Sequence, residues 1–76
     1  MYVLGVKLKM DFEPVIDVLI ARRKQMGYTQ LRLAELADLA QPAVSRFESK
    51  KTIPQLDTLL KIIEALDCEV KIVPRK

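Results

Sequence analysis

Apolar residues recur at helical spacing four times along this chain, with turn-forming residues between the runs. The first run is Phe12, Val15, Ile16, Leu19 and Met26, one face of a 3.6-residue period. It opens at Asp11-Phe12-Glu13-Pro14, where Asp11 or Glu13 can cap a helix and Pro14 is tolerated in the first turn. Gly27 stops it after about Met26. Thr29 then caps a second helix, Gln30 to Ala37, with Leu33, Ala34 and Ala37 inward. Asp38-Leu39-Ala40 is a break in which Leu39 plugs the core between two helices. A third helix runs from Gln41 to Glu48 or Ser49, with Pro42 in its first turn and Val44 and Phe47 inward. After a loop at Lys50-Lys51-Thr52-Ile53-Pro54, a fourth helix spans about Gln55 to Leu66. Its expected core face is Leu56, Leu59, Leu60, Ile63 and Leu66, leaving Ile62 off that face toward a partner.

Two stretches alternate with period two instead. Val6, Leu8 and Met10 alternate with Lys7 and Lys9, so residues 1–10 read as a short strand or as an upstream extension. Glu69-Val70-Lys71-Ile72-Val73 is β-branched, alternates and ends at Pro74, which predicts a tail strand. Two charges sit on apolar stripes: Arg23 lies four residues after Leu19, and Glu48 four after Val44.

Composition narrows the choices. Seventy-six residues, half of them hydrophobic, suffice for a single domain over 1–76. The patterning makes it all-α, a bundle of about four helices with short N- and C-terminal strands. The one cysteine, Cys68, allows no intrachain disulfide, which fits a reducing cytoplasm. Without histidine there is no imidazole base or His-ligated metal, and Gly5 and Gly27 cannot build a phosphate loop. The acids are scattered over helix surfaces. These features predict a protein that is not an enzyme, with no cofactor and no metal. Met1 to Met10 is too short and polar for a signal peptide, and no apolar run approaches the ~18 residues of a membrane span.

The net charge is +3, and its distribution matters more. Between Arg22 and Lys51 seven bases face three acids, whereas from Thr52 to Glu69 one base faces four acids. A basic middle suits a polyanion. A short helix, a tight turn and a second short helix form a helix-turn-helix, whose second helix enters the major groove N-terminus first. With Val44, Phe47 and Glu48 inward, a wheel turns Pro42, Arg46 and Ser49 outward, flanked by Ala43 and Ser45, with Gln41 leading. That face is small, polar and basic. Gln can pair bidentately with adenine, Arg with guanine, and Ala offers a contact to the thymine methyl. Gln30 opens the preceding helix, where its amide and free N–H groups can meet a phosphate; Lys50 and Lys51 can neutralise phosphates.

The residues Thr29-Gln30-x-x-Leu33-Ala34, Val44-Ser45-Arg46-Phe47-Glu48, Pro54-x-Leu56-x-Thr58-Leu59-Leu60 and Ala65-Leu66 carry a resemblance to the lambda-repressor-like, Cro/C1-type helix-turn-helix family. It covers roughly residues 19–66, within a family-like core of about 12–66. The resemblance implies a DNA-binding role in which Gln30 and Gln41 contact phosphate and base edges close together. Pro42, Ala43 and Arg46 would face bases, and Ser49 and Lys51 the backbone. It also implies a buried pair between Arg23 and Glu48, which would resolve both misplaced charges. Three positions depart from the family: Asp38 stands at a turn usually held by Gly, Ala40 replaces a Ser cap, and Lys50 replaces a Gly after the reading helix.

The expectation is a dimeric repressor on double-stranded DNA at a near-palindromic site. Gln41-Pro42-Ala43-Val44-Ser45-Arg46 and the tail strand resemble the antitoxin branch, which implies a toxin protein as a further partner. In that branch the tail strand commonly pairs across a dimer, with Val70 and Ile72 inward and Lys71 outward here. Pairing of the N- and C-terminal strands within one chain is the competing arrangement. A helix-turn-helix used only to bind protein is disfavoured, because it needs neither the basic face nor Gln30.

Overall fold

The computed structural model describes residues 2–4 and 12–74. Strand β1 (Tyr2–Leu4) is followed by helices α1 (Phe12–Gln25), α2 (Gln30–Ala37), α3 (Gln41–Ser49) and α4 (Leu56–Ala65), then strand β2 (Cys68–Val70). Each helix is followed within two residues by a left-handed residue: Gly27 (φ 74°), Asp38 (φ 57°), Lys50 (φ 61°) and Asp67 (φ 56°). Only the first is glycine. Aspartate tolerates this region better than most side chains, and Lys50 is the least suited of the four. Thr29 caps α2 as its position predicts, its Oγ1 accepting the Arg32 N–H at 3.0 Å.

The core is a single cluster built from all four helices: Ile16 and Leu19 of α1, Leu33 and Ala34 of α2, Val44 and Phe47 of α3, and Ile62, Ile63 and, just beyond α4, Leu66. Leu39, in the turn between α2 and α3, packs half-buried against it.

The fourth helix departs from expectation. Ile62 is 0% exposed, whereas Leu60 is 47% exposed and Leu56 more so. At 100° per residue the apolar arc of α4 spans roughly 160°, wider than one core-facing stripe. The bundle buries the side holding Leu59, Ile62, Ile63 and Leu66 and leaves the Leu56–Leu60 side outside.

The strands differ as well. The expected strand over Val6–Met10 lies outside the described residues, as does Asp11. The tail strand is Cys68–Val70 rather than Glu69–Val73, and it pairs with β1 in parallel, Tyr2 opposite Cys68 and Leu4 opposite Val70. Pairing within one chain is thus the arrangement adopted. Parallel partners need a long crossover, and here all four helices supply it. Val70 and Ile72 do not face inward: Val70 is exposed and Ile72 is 91% exposed. Among the described residues no helix is long and apolar enough to cross a membrane.

Candidate nucleic-acid interface

The turn between α2 and α3 decides how α3 is presented. Asp38 in the left-handed conformation reverses the chain, and the Leu39 N–H donates to the Ala34 carbonyl at 2.8 Å, closing the end of α2. Ala40 is extended (φ −73°, ψ 145°), correct for a helix cap, but its side chain can accept nothing.

The back of α3 is anchored by charge. Arg23 Nε donates to Glu48 Oε2 at 2.7 Å and its Nη2 to Glu48 Oε1 at 3.1 Å, with the side chains only 12% and 8% exposed. The third arm of the guanidinium, Nη1, donates to the Tyr28 carbonyl at 2.8 Å. Gln30 Nε2 donates to Glu48 Oε1 at 2.9 Å. One carboxylate therefore gathers α1 and the start of α2 onto the C-terminal half of α3. The two charges that looked misplaced in the hydrophobic pattern face each other.

The front of α3 is open. Gln41, Pro42, Ser45, Arg46 and Ser49 are exposed and Ala43 is half-buried, while Val44 and Phe47 point into the core. Ser49 is engaged locally: its Oγ donates to the Arg46 carbonyl at 2.7 Å and accepts the Lys51 N–H at 3.3 Å, closing the end of α3. Gln30 presents its amide beside this face already committed to Glu48 on one N–H.

The basic zone of the sequence separates into different duties. Arg23 is internal. Arg22 Nε donates to the Leu66 carbonyl at 3.0 Å, placing a cation at the end of α4 where the helix dipole favours one. Arg32 pairs with Glu35 on the surface of α2. Lys50 Nζ donates to Asp17 Oδ1 at 2.7 Å, and this hydrogen bond to a carboxylate raises the ammonium pKa. Among the described residues Lys24, Arg46 and Lys51 form no ion pair, leaving Arg46 and Lys51 as the free cations on and just after α3.

Beside Arg46 a shallow groove of about 350 Å³ runs between α3 and the loop that follows it, its lining including Ala43, Arg46, Thr52, Ile53, Gln55 and Thr58. Sequence reasoning gave Thr52, Ile53 and Gln55 no role in the site, since loop and cap residues carry no periodic signal that marks a shared face. Among the described residues no group of three or more His, Cys, Asp or Glu could hold a metal ion.

A family model described as helix-turn-helix matches residues 19–73. An uncharacterized HTH-type transcriptional regulator of Haemophilus influenzae is 42% identical over 60 residues, covering 79% of this chain and 61% of the relative. Antitoxin HigA1 of Mycobacterium tuberculosis is 37% identical over 59 residues, 78% of this chain and 40% of that protein. The chain thus spans less than two thirds of the length of these relatives. Among solved structures, a chain from a toxin-antitoxin module of Streptococcus pneumoniae is 36% identical with a TM-score of 0.74, over 96% of this chain and 85% of that one. A chain of the HipA-HipB-O2-O3 complex has the same fold, with a TM-score of 0.81 at 24% identity over 93% of this chain and 100% of its own.

Proposed function

The chain belongs to the helix-turn-helix family, and on that premise we propose that it is a sequence-specific DNA-binding regulator that represses transcription by occupying promoter DNA. The observation that carries this reading is Arg46: an exposed guanidinium without an ion pair among the described residues, on the open face of a helix whose back is pinned by a largely buried ion pair. A rigid helix with a small, polar front can approach base edges closely. Arg46 and Gln41 read bases, with Pro42, Ala43 and Ser45 packed against the groove floor. Gln30, Ser49, Lys50 and Lys51 meet the sugar-phosphate backbone; Lys50 does so by exchanging Asp17 for a phosphate. As a homodimer the protein would place two reading helices in successive major grooves about 34 Å apart on a near-palindromic site. Work on chromosomal DNA would place it in the cytoplasm, and the domain responsible spans residues 1–76. No step of this mechanism is catalytic.

A second reading adds a protein partner. The likeness to antitoxin HigA1 and to a chain of a toxin-antitoxin module favours an antitoxin that binds a toxin and represses its own operon. The two readings share the DNA interface.

The test is fluorescence anisotropy on DNA from upstream of the protein's own gene, at graded salt, beside random duplex and Arg46→Ala. Binding that prefers the upstream DNA, weakens steeply with salt and loses its preference in Arg46→Ala is the expected result. Absence of binding at low salt would overturn the DNA reading.

A further inference from the structure

The groove beside Arg46 holds an apolar side chain that the core does not use. Ile53 is 78% exposed, yet it lines this hollow together with Ala43 and Arg46, two residues of the open face of α3. The chain fixes it there. Pro54 disfavours helical backbone at the residue before it, and Ile53 lies in neither a helix nor a strand. On one side Phe47, a buried residue, roots α3 in the core; on the other Gln55 opens α4 as its cap. The loop is therefore held at both ends and has little conformational freedom left to lose on binding. The β-branched side chain of Ile53 is itself restricted at χ1.

We propose that Ile53 is a further specificity-determining residue of the DNA interface, packing against the 5-methyl group of a thymine beside the base pair that Arg46 reads. The inference rests on the reading of this chain as a sequence-specific DNA binder. Two observations select a duplex as the occupant of the groove. The groove is continuous with the reading face, because Ala43 and Arg46 belong to both, so DNA seated on α3 lies over it. Its lining also carries one cation, Arg46, and no acid among the described residues, which suits a site flanked by phosphates. Within the major groove the thymine methyl is the prominent apolar group at a base edge. The isoleucine side chain has no hydrogen-bonding atom, so it discriminates between bases only through such a group. Its bulk also keeps water from the hydrogen bonds that Arg46 makes next to it. Gln55, whose side chain makes no capping bond, stands at the rim with its amide toward the adjoining sugar-phosphate.

The test uses a duplex that wild-type protein selects from a random-sequence library, with fluorescence anisotropy as the readout and circular dichroism to check that each variant is folded. Thymines of the selected site are replaced one at a time by deoxyuridine, which keeps every hydrogen-bonding atom and lacks only the 5-methyl group. Wild-type protein should lose about fourfold in affinity at a thymine beside the base pair where Arg46→Ala loses its preference, the effect of one methyl group's burial. Ile53→Ala should bind the thymine and deoxyuridine forms of that position alike, and Ile53→Val should keep most of the difference. Other thymines, including any against Ala43, should respond equally in wild type and Ile53→Ala. Wild-type sensitivity of Ile53→Ala at every thymine would overturn the proposal, as would a selected site with no thymine beside that base pair. A loss by Ile53→Ala that is the same on every duplex would overturn it too, placing the side chain on sugar rather than on a base. Selection of no sequence by wild-type protein would overturn the DNA reading and this inference with it. A selected site at which Ile53 is inert removes this inference alone.

Discussion

Replacing Glu48 by alanine should be among the most damaging single changes available outside the apolar core. The carboxylate accepts hydrogen bonds from Arg23 Nε at 2.7 Å, Arg23 Nη2 at 3.1 Å and Gln30 Nε2 at 2.9 Å. Without it, Arg23 keeps only the Tyr28 carbonyl, in a place where its side chain is 12% exposed and water cannot fully replace the lost partners. Stranding a buried charge costs about 3–5 kcal/mol. A domain of this length has roughly 4–11 kcal/mol in all, at about 0.05–0.15 kcal/mol per residue. The melting temperature should therefore fall by roughly 12–40 °C, at about 4–8 °C per kcal/mol. Arg23→Met should cost a similar amount by orphaning Glu48. The double variant Arg23→Met/Glu48→Leu removes both charges together, and should recover to within about 2 kcal/mol of wild type. Urea denaturation followed at the helix band measures wild type, Arg23→Met, Glu48→Leu and the double variant, the four corners of this cycle, with Glu48→Ala alongside. Additivity of the two single losses within about 0.5 kcal/mol would refute the reasoning, because it would mean that the two residues do not depend on each other. A loss below about 1 kcal/mol for Glu48→Ala would do so independently, since that is the scale of an exposed pair.

Other expectations follow from the same geometry. Arg46→Ala should reduce the preference for the cognate site by about 1–3 kcal/mol, read as the ratio of anisotropy titrations on cognate and random duplex. Lys51→Ala should weaken both duplexes alike and flatten the salt slope by about 0.9; identical behaviour of these two variants would remove the division between base and backbone contacts. At Asp38 (φ 57°) glycine should be more stable than alanine by about 1 kcal/mol in thermal melts, because only alanine carries a Cβ into the left-handed region. Burial raises the Cys68 thiol pKa against the opposing influence of Arg22. At pH 8 the thiolate fraction is thus smaller than in an unfolded chain, and alkylation by iodoacetamide should be slower in the folded protein than in urea. Equal rates would show that β2 leaves the thiol fully solvated.

The four helices and the turn between the second and third were legible from local signals: the 3.6-residue spacing of apolar positions, Thr29 as a cap, and Gly27 and Asp38 as residues able to adopt a left-handed conformation after the first two helices. These act within a few residues of chain, which is why pattern alone locates them. The misplaced Arg23 and Glu48 were also visible, as two charges on apolar stripes; their bonding geometry and the engagement of Gln30 needed three elements in contact. Which side of α4 is buried was not legible. An apolar arc wider than one core-facing stripe does not say which part meets the bundle, so Ile62 and Leu60 exchanged places relative to expectation. Nor could charge counting tell which cations are free. Arg22, Lys50 and Arg46 each count as one positive charge in the sequence, and only tertiary packing commits the first to a helix end, the second to Asp17 and leaves the third open. Periodicity is a property of one segment, whereas burial and charge pairing depend on the surfaces it meets, and those exist only once the chain has folded.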